Sequence, residues 1–193
     1  MLVETVILAV IWLFITRNKH KFKFDEFKGL PWLWASIITE QSAQLLIDFG
    51  VFRVVEYTFF IHLGIYGLLF IFIAYNIKSF KSLGITGVGI LLNAVVVFSN
   101  NGYMPVSDQL AVKYGYDLTL ESLNRFEIFG HALISSSTKL SVLSDWISIG
   151  PPYPFPKTLS IGDLIIDIGI IVLAYSLSKS VESVEISEVE NVV

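Results

Sequence analysis

The chain has 193 residues, 54% of them hydrophobic and 16% charged, with a mean hydropathy of +0.69. A soluble domain carries about a quarter charged residues, so this balance argues against a soluble globule and for one compact membrane domain. Cysteine is absent, which rules out disulfides, thiolate metal ligands and cysteine nucleophiles, and the net charge of -4 owes much to a terminal run of Glu182, Glu185, Glu188 and Glu190, so it gives no argument for nucleic acid.

Five apolar stretches follow one another, at about residues 1–16, 30–49, 54–75, 83–98 and 160–177. At 1.5 Å per residue each is long enough, or nearly so, to cross roughly 30 Å of hydrocarbon. Lipid tolerates only helices or closed barrels, because an unpaired backbone group there costs several kcal/mol. The runs are continuous rather than alternating, so they read as helices. The predicted fold is all-α: a polytopic membrane protein of five transmembrane helices, with a folded outer cap of short helices over residues 99–159. The first run is not a cleavable signal, since its charges follow the apolar stretch and Glu4 stands where a basic region would precede it. Arg17, Lys19, Lys21, Lys23, Lys28, Lys78, Lys81 and Lys179 fall on one side of the spans, while the link after the second span holds only Arg53. Positive-inside bias then puts the chain in the cell membrane with its N-terminus outside and its C-terminus in the cytoplasm. Residues 179–193 form an acidic cytoplasmic tail expected to be solvated and largely disordered.

In the second span Ser36, Glu40, Gln44 and Asp48 recur every four residues, with Gln41 beside them. Residues at i and i+4 share a helix face, and a charge at mid-bilayer costs roughly 2.5–3.5 kcal/mol. This stripe must therefore face other helices or water. Thr58, His62 and Tyr66 make a similar stripe in the third span. The short link Gly50–Arg53 makes these spans antiparallel neighbours, with Glu40 and His62 at similar depth and able to pair. A structural contact between helices would be worth about 0.6–2 kcal/mol; the alternative is a proton relay or ion pathway. Gly84, Gly87 and Gly89 in the fourth span, and Gly64 and Gly67 in the third, read as packing faces. Asn93 lies deeper along the fourth span and needs a partner.

After the fourth span, Asn100-Asn101-Gly102 marks a tight turn and Pro105 forbids continued helix. Ser107 is placed to cap a short helix ending near Gly115, and Thr119 another carrying Glu121, Arg125 and Glu127. His131 follows. Leu140, Leu143, Trp146 and Ile147 suit a helix lying flat on the membrane surface. Pro151, Pro152, Pro154 and Pro156 then force an extended return. The last span opens with Ser160-Ile161-Gly162-Asp163, the form of a capping box. Asp167, one turn deeper, is not explained by capping. Asp163 and Asp167 could bind a cation or meet buried polar partners; partners are favoured, because no acidic or histidine cluster completes a metal set.

Asn93, the Asn-Gly-Tyr-Met-Pro-Val-Ser run at 101–107, His131, Thr138-Lys139-Leu140 through Leu143 and Asp145, and Ser160-Ile161-Gly162-Asp163 occur in an order that resembles the bacterial membrane proteins of domain-of-unknown-function family 5317. The resemblance covers most of the chain and is best over Asn93 to Asp167. It implies a membrane fold and no activity, and its motif residues cluster on the outer side. The family pattern has two glycines before the residue preceding Met-Pro, where this chain has Gly102 alone. Asn93, Asn100, Met104, Pro105, His131, Asp145, Asp163 and Asp167 are thus the candidate polar cluster, with Asp167, Asn93 and the Met104-Pro105 backbone meeting beneath His131 and Trp146. Glu40, Gln44 and His62 are the intramembrane polar residues. No cofactor is implied. Three function classes compete: a non-catalytic component partnering the bilayer or another membrane protein; a small proton- or ion-coupled transporter using Glu40, His62 and Asp167; and an outer-leaflet enzyme using His131 with Asp163, Asp167 or Asp145. The component reading ranks first.

Overall fold

The computed structural model describes residues 2–16, 27–114, 117–125 and 127–190. Arg17, Lys19, Lys21, Lys23 and Gly115, used in the sequence reading, lie outside them. Five long helices dominate: α1 (Leu2–Thr16), α2 (Leu30–Asp48), α3 (Thr58–Asn76, entered through a 3-10 turn at Phe52–Tyr57), α4 (Leu83–Ser99) and α7 (Ile161–Glu190). Two short helices, α5 (Gln109–Tyr114) and α6 (Asp117–Asn124), lie between α4 and α7. Arg53–Asn76 (24 residues) and Ile161–Ser178 (18 residues) are long and apolar enough to cross a membrane; Glu4–Leu13 and Leu83–Ser99 are shorter apolar helices. α2, diluted by its polar stripe, is in neither group. Large apolar side chains stand on the outside of α3 and α7, with Phe60 68% and Ile171 58% exposed.

Two expectations are corrected here. The tail after Lys179 continues α7 to Glu190 as helix, because no glycine or proline follows Gly169 to stop it. The cap is not built of short helices alone. It holds a parallel pair, β1 (Met104–Val106) with β2 (His131–Leu133), and an antiparallel pair, β3 (Ile147–Ile149) with β4 (Lys157–Leu159). The stretch expected as a surface helix is a single 3-10 turn at Ser141–Leu143 running into β3. Asp145 closes the other edge of β1: its N–H donates to the Pro105 carbonyl at 2.9 Å and its carbonyl accepts from Ser107 N–H at 2.8 Å. β1 is therefore the buried middle of the cap, and Ser107, as expected, caps α5 with its Oγ 3.3 Å from Gln109 N.

The helices pack in the order α2–α3–α4–α7–α1. The tightest contact is α4 on α7, where a Cβ on Gly89 would stand 2.5 Å from the Gly162 carbonyl and one on Gly169 would stand 2.6 Å from Thr86 N. Small residues let backbones approach this closely. Gly89 is thus a packing glycine. Gly64 and Gly67 are not: nothing lies within 4 Å of where their Cβ atoms would be. Asn76, buried at the end of α3, holds the start of α2: its Oδ1 accepts from Lys28 N–H at 2.8 Å and its Nδ2 donates to the Lys28 carbonyl at 2.6 Å.

Candidate functional site

The cap closes over α3 through two glycines in the left-handed region. At Gly102 (φ 90) a Cβ would come 2.6 Å from the Phe59 backbone, and at Gly130 (φ 69) one would strike the His62 ring, with Nε2 2.8 Å away. Only glycine combines that dihedral with that proximity. His62 is thereby buried beneath the cap, stacked on Phe129 with ring centroids 5.1 Å apart. Gln44 moors the same segment to α2: Phe129 N–H donates to its Oε1 at 2.8 Å, and its Nε2 donates to the Glu127 carbonyl at 2.9 Å. Of the α2 stripe, Gln44 has partners in the cap, while Ser36, though buried, donates its hydroxyl to the Leu33 carbonyl of its own helix at 2.7 Å. Glu40 does not hydrogen-bond His62; it lies within electrostatic reach of His131 and Tyr66.

At the start of α7 the capping box forms in full. Asp163 N–H donates to Ser160 Oγ at 2.9 Å, and Ser160 N–H donates to Asp163 Oδ2 at 3.0 Å. Asn93 of α4 locks onto this box, donating through Nδ2 to Asp163 Oδ1 at 2.8 Å and accepting from Ser160 Oγ at 2.9 Å. The partner of Asn93 is therefore Asp163. Asp167 lies one turn beyond, 3% exposed, next to Thr5 of α1; the Thr5 hydroxyl is close, but neither carboxylate oxygen has a partner in good hydrogen-bonding geometry. The expected single cluster is thus two neighbouring ones: Asp163 meets Asn93, while Asp167, one turn further along α7, lies beside Thr5 of α1.

Asp145, fixed by its backbone to β1, is 7% exposed, and its Oδ1 has no partner. Burial, reinforced by the Asp163 carboxylate, pushes its carboxyl up to about 8. It is an acid that keeps its proton at neutral pH. His131 donates from Nδ1 to the Phe129 carbonyl at 2.8 Å, which leaves Nε2 as the basic nitrogen. Tyr66 is within electrostatic reach of Asp163, Glu40 and Asp145, and His62 of His131. Glu40, His62, Tyr66, His131, Asp145 and Asp163 therefore converge where α2, α3 and α7 meet the cap.

The remaining candidates make contacts within the cap and to α4. Met104 donates its N–H to the Gly130 carbonyl at 2.7 Å. Asn100 clamps the cap to α4, accepting from Lys139 N–H and donating to the Lys139 carbonyl, each at 2.9 Å. Trp146 does not roof the cluster; it is 40% exposed and donates to the Val142 carbonyl. Among the described residues no group of three or more His, Asp or Glu side chains could hold a metal ion. Sequence reasoning missed Asn76 and Gly130. An amide at a helix end gives no directional signal, and the need for glycine at 130 appears only once His62 is beneath it.

The model of the family of unknown function DUF5317 matches residues 22–175. The chain belongs to that family. The match covers the DUF5317 cap and α2, α3 and α4, and most of the apolar part of α7; α1 lies before it. Comparison with curated proteins and with solved structures returned no match.

Proposed function

We propose that this DUF5317 protein is a five-span membrane protein, cap outward and basic loops inward, that works as a proton-coupled carrier through the cluster beneath its cap. The observation that carries this reading is the gathering of six ionisable side chains from α2, α3, α7 and the cap, one of them the buried, neutral Asp145. Ionisable groups at membrane depth are costly and mark proton or ion pathways more often than passive contacts. The exposed apolar faces of α1, α3 and α7 support five crossings, as does the contact of Glu4, at the start of α1, with Lys157 and Tyr153 in the cap, which puts both on one side.

Two measurements test it. A cysteine replacing Lys113 should react with an impermeant thiol reagent in intact cells, and one replacing Lys21 should not; the reverse pattern overturns the topology. In proteoliposomes on a solid-supported membrane, a pH jump should evoke a transient charge movement that shrinks in Asp145→Asn. An unchanged transient favours the second reading, a non-catalytic partner of another membrane protein, for which the open Gly64 and Gly67 face of α3 offers a close approach.

A further inference from the structure

Leu140 stands where the backbone asks for a glycine. It adopts the left-handed conformation (φ 54), which glycine enters freely and a bulky side chain enters only with strain. Packing within the chain is a poor reason for a leucine there, since Leu140 is 44% exposed. Val142, in the 3-10 turn that follows, is 63% exposed. Trp146 lies against the same turn, its indole N–H satisfied by the Val142 carbonyl at 2.8 Å, so its open ring offers the outside only apolar surface. The turn is firmly placed. Asn100, which closes α4, accepts from Lys139 N–H and donates to the Lys139 carbonyl. Leu143 packs inward on Val96 and Val97, in the last turn of the same helix. Leu140, Val142 and Trp146 are therefore held level with the end of α4 that bears the cap, and they are not the set that a helical spacing selects.

Depth and charge together say what covers the patch. On the five-span reading proposed above, on which this inference rests, the cap end of α4 marks the outer boundary of the hydrocarbon. A turn packed beside the last residues of α4 then lies in the headgroup layer, the layer that tryptophan favours. From Ile128 to Pro156 the sequence has one acid, Asp145, and it is buried. The exposed charge next to the patch is Lys139, whose aliphatic stem suits apolar surface while its ammonium reaches phosphate. Three apolar side chains flanked by unopposed basic charge fit a bilayer that carries anionic phospholipid. We propose that the turn 139–146 is an interfacial anchor: Leu140, Val142 and Trp146 enter the outer leaflet, and Lys139 sits on the headgroup phosphates. Asp145, adjoining Trp146, closes the edge of β1, so the anchor joins the bilayer surface directly to the buried middle of the cap.

The chain has no cysteine, so single spin labels can be placed without background. In nanodiscs of phosphatidylcholine and phosphatidylglycerol, a nitroxide on Val142→Cys should collide with oxygen more often than with a water-soluble nickel chelate. One on Asp108→Cys, where an exposed carboxylate marks water, should show the opposite order. Adding Lys139→Glu should raise nickel collisions at the 142 label several-fold, and adding Lys139→Arg should leave them as they were. Leu140→Gly relieves the left-handed leucine and spares the backbone bonds of Lys139, so the melting temperature in detergent should hold or rise. A 142 label as open to nickel as the 108 label, one unmoved by Lys139→Glu, or a fall of several degrees in Leu140→Gly would each overturn the proposal. So would a dipolar distance between 142 labels on two copies, which would make the patch a contact between chains. Any of these with the Lys113 and Lys21 labelling pattern intact removes the anchor and leaves the topology standing.

Discussion

Replacing Asn93 by alanine should loosen α4 from α7 without unwinding either helix. The substitution deletes a hydrogen bond to a carboxylate, Asn93 Nδ2 to Asp163 Oδ1 at 2.8 Å, and a neutral one, Ser160 Oγ to Asn93 Oδ1 at 2.9 Å. The first is worth about 1.5–3 kcal/mol and the second about 0.5–1.5 kcal/mol, for a combined loss of about 2–4.5 kcal/mol. The capping box is untouched, since Asp163 keeps its bond from Ser160 N–H and Ser160 Oγ still accepts from Asp163 N–H. The loss therefore falls on the contact between helices. At roughly 2–4 °C per kcal/mol for a chain of this size, the melting temperature in detergent should drop by about 4–18 °C. Tryptophan fluorescence during a thermal ramp reads the change. A drop under about 2 °C would refute the reasoning, and would mean that the approach of Gly89 to Gly162 holds the pair unaided.

Asp145 makes stability depend on pH. Its folded-state value near 8 stands above the ordinary aspartate value of 3.8, so the folded chain holds a proton that the unfolded chain releases. Stability is full below the lower value, falls as pH rises between the two, and is level above the higher one; denaturation in detergent across that range should show the slope, and Asp145→Asn should flatten it. Gln44→Leu removes both bonds that moor residues 127–129 to α2. It should cost about 1–3 kcal/mol and speed amide hydrogen exchange of Phe129 and Gly130, whereas exchange as slow as in the wild type would mean that Gly130 against His62 suffices.

The helices were legible because a continuous apolar run needs no partner to declare itself; α1 to α4 stand close to the expected boundaries. The first turn of α3 was the exception, since Phe52–Tyr57 is tightened into 3-10 form before the helix begins. The capping box was legible for the same local reason: serine and an acid three residues on satisfy each other's backbone groups. The cap strands were not. Each is three residues long, too short for an alternating pattern to emerge, and Met104–Val106 is buried along its whole length. Nor could the register of α4 on α7 be read. Asp163 and Asp167 differ only by one turn, and the choice between them as partner for Asn93 is set by where Gly89 and Gly162 bring the backbones together. The convergence beneath the cap was half visible, as two polar stripes; His131, brought to them by β2 and Gly130, was the part that only the fold could supply.

The bond from Asn93 to Asp163 joins residues 70 apart in sequence. At about 5–20 residues per second, a ribosome takes roughly 4–14 s to deliver the second after the first. For that interval the fourth helix waits with a bare amide and a groove of small residues, and the roughly sixty residues between have no closed frame on which to fold. Assembly of the cap is therefore timed by the arrival of α7. A chain stalled before Ser160 would present an unfinished surface to whatever insertion factor or quality-control protease attends it.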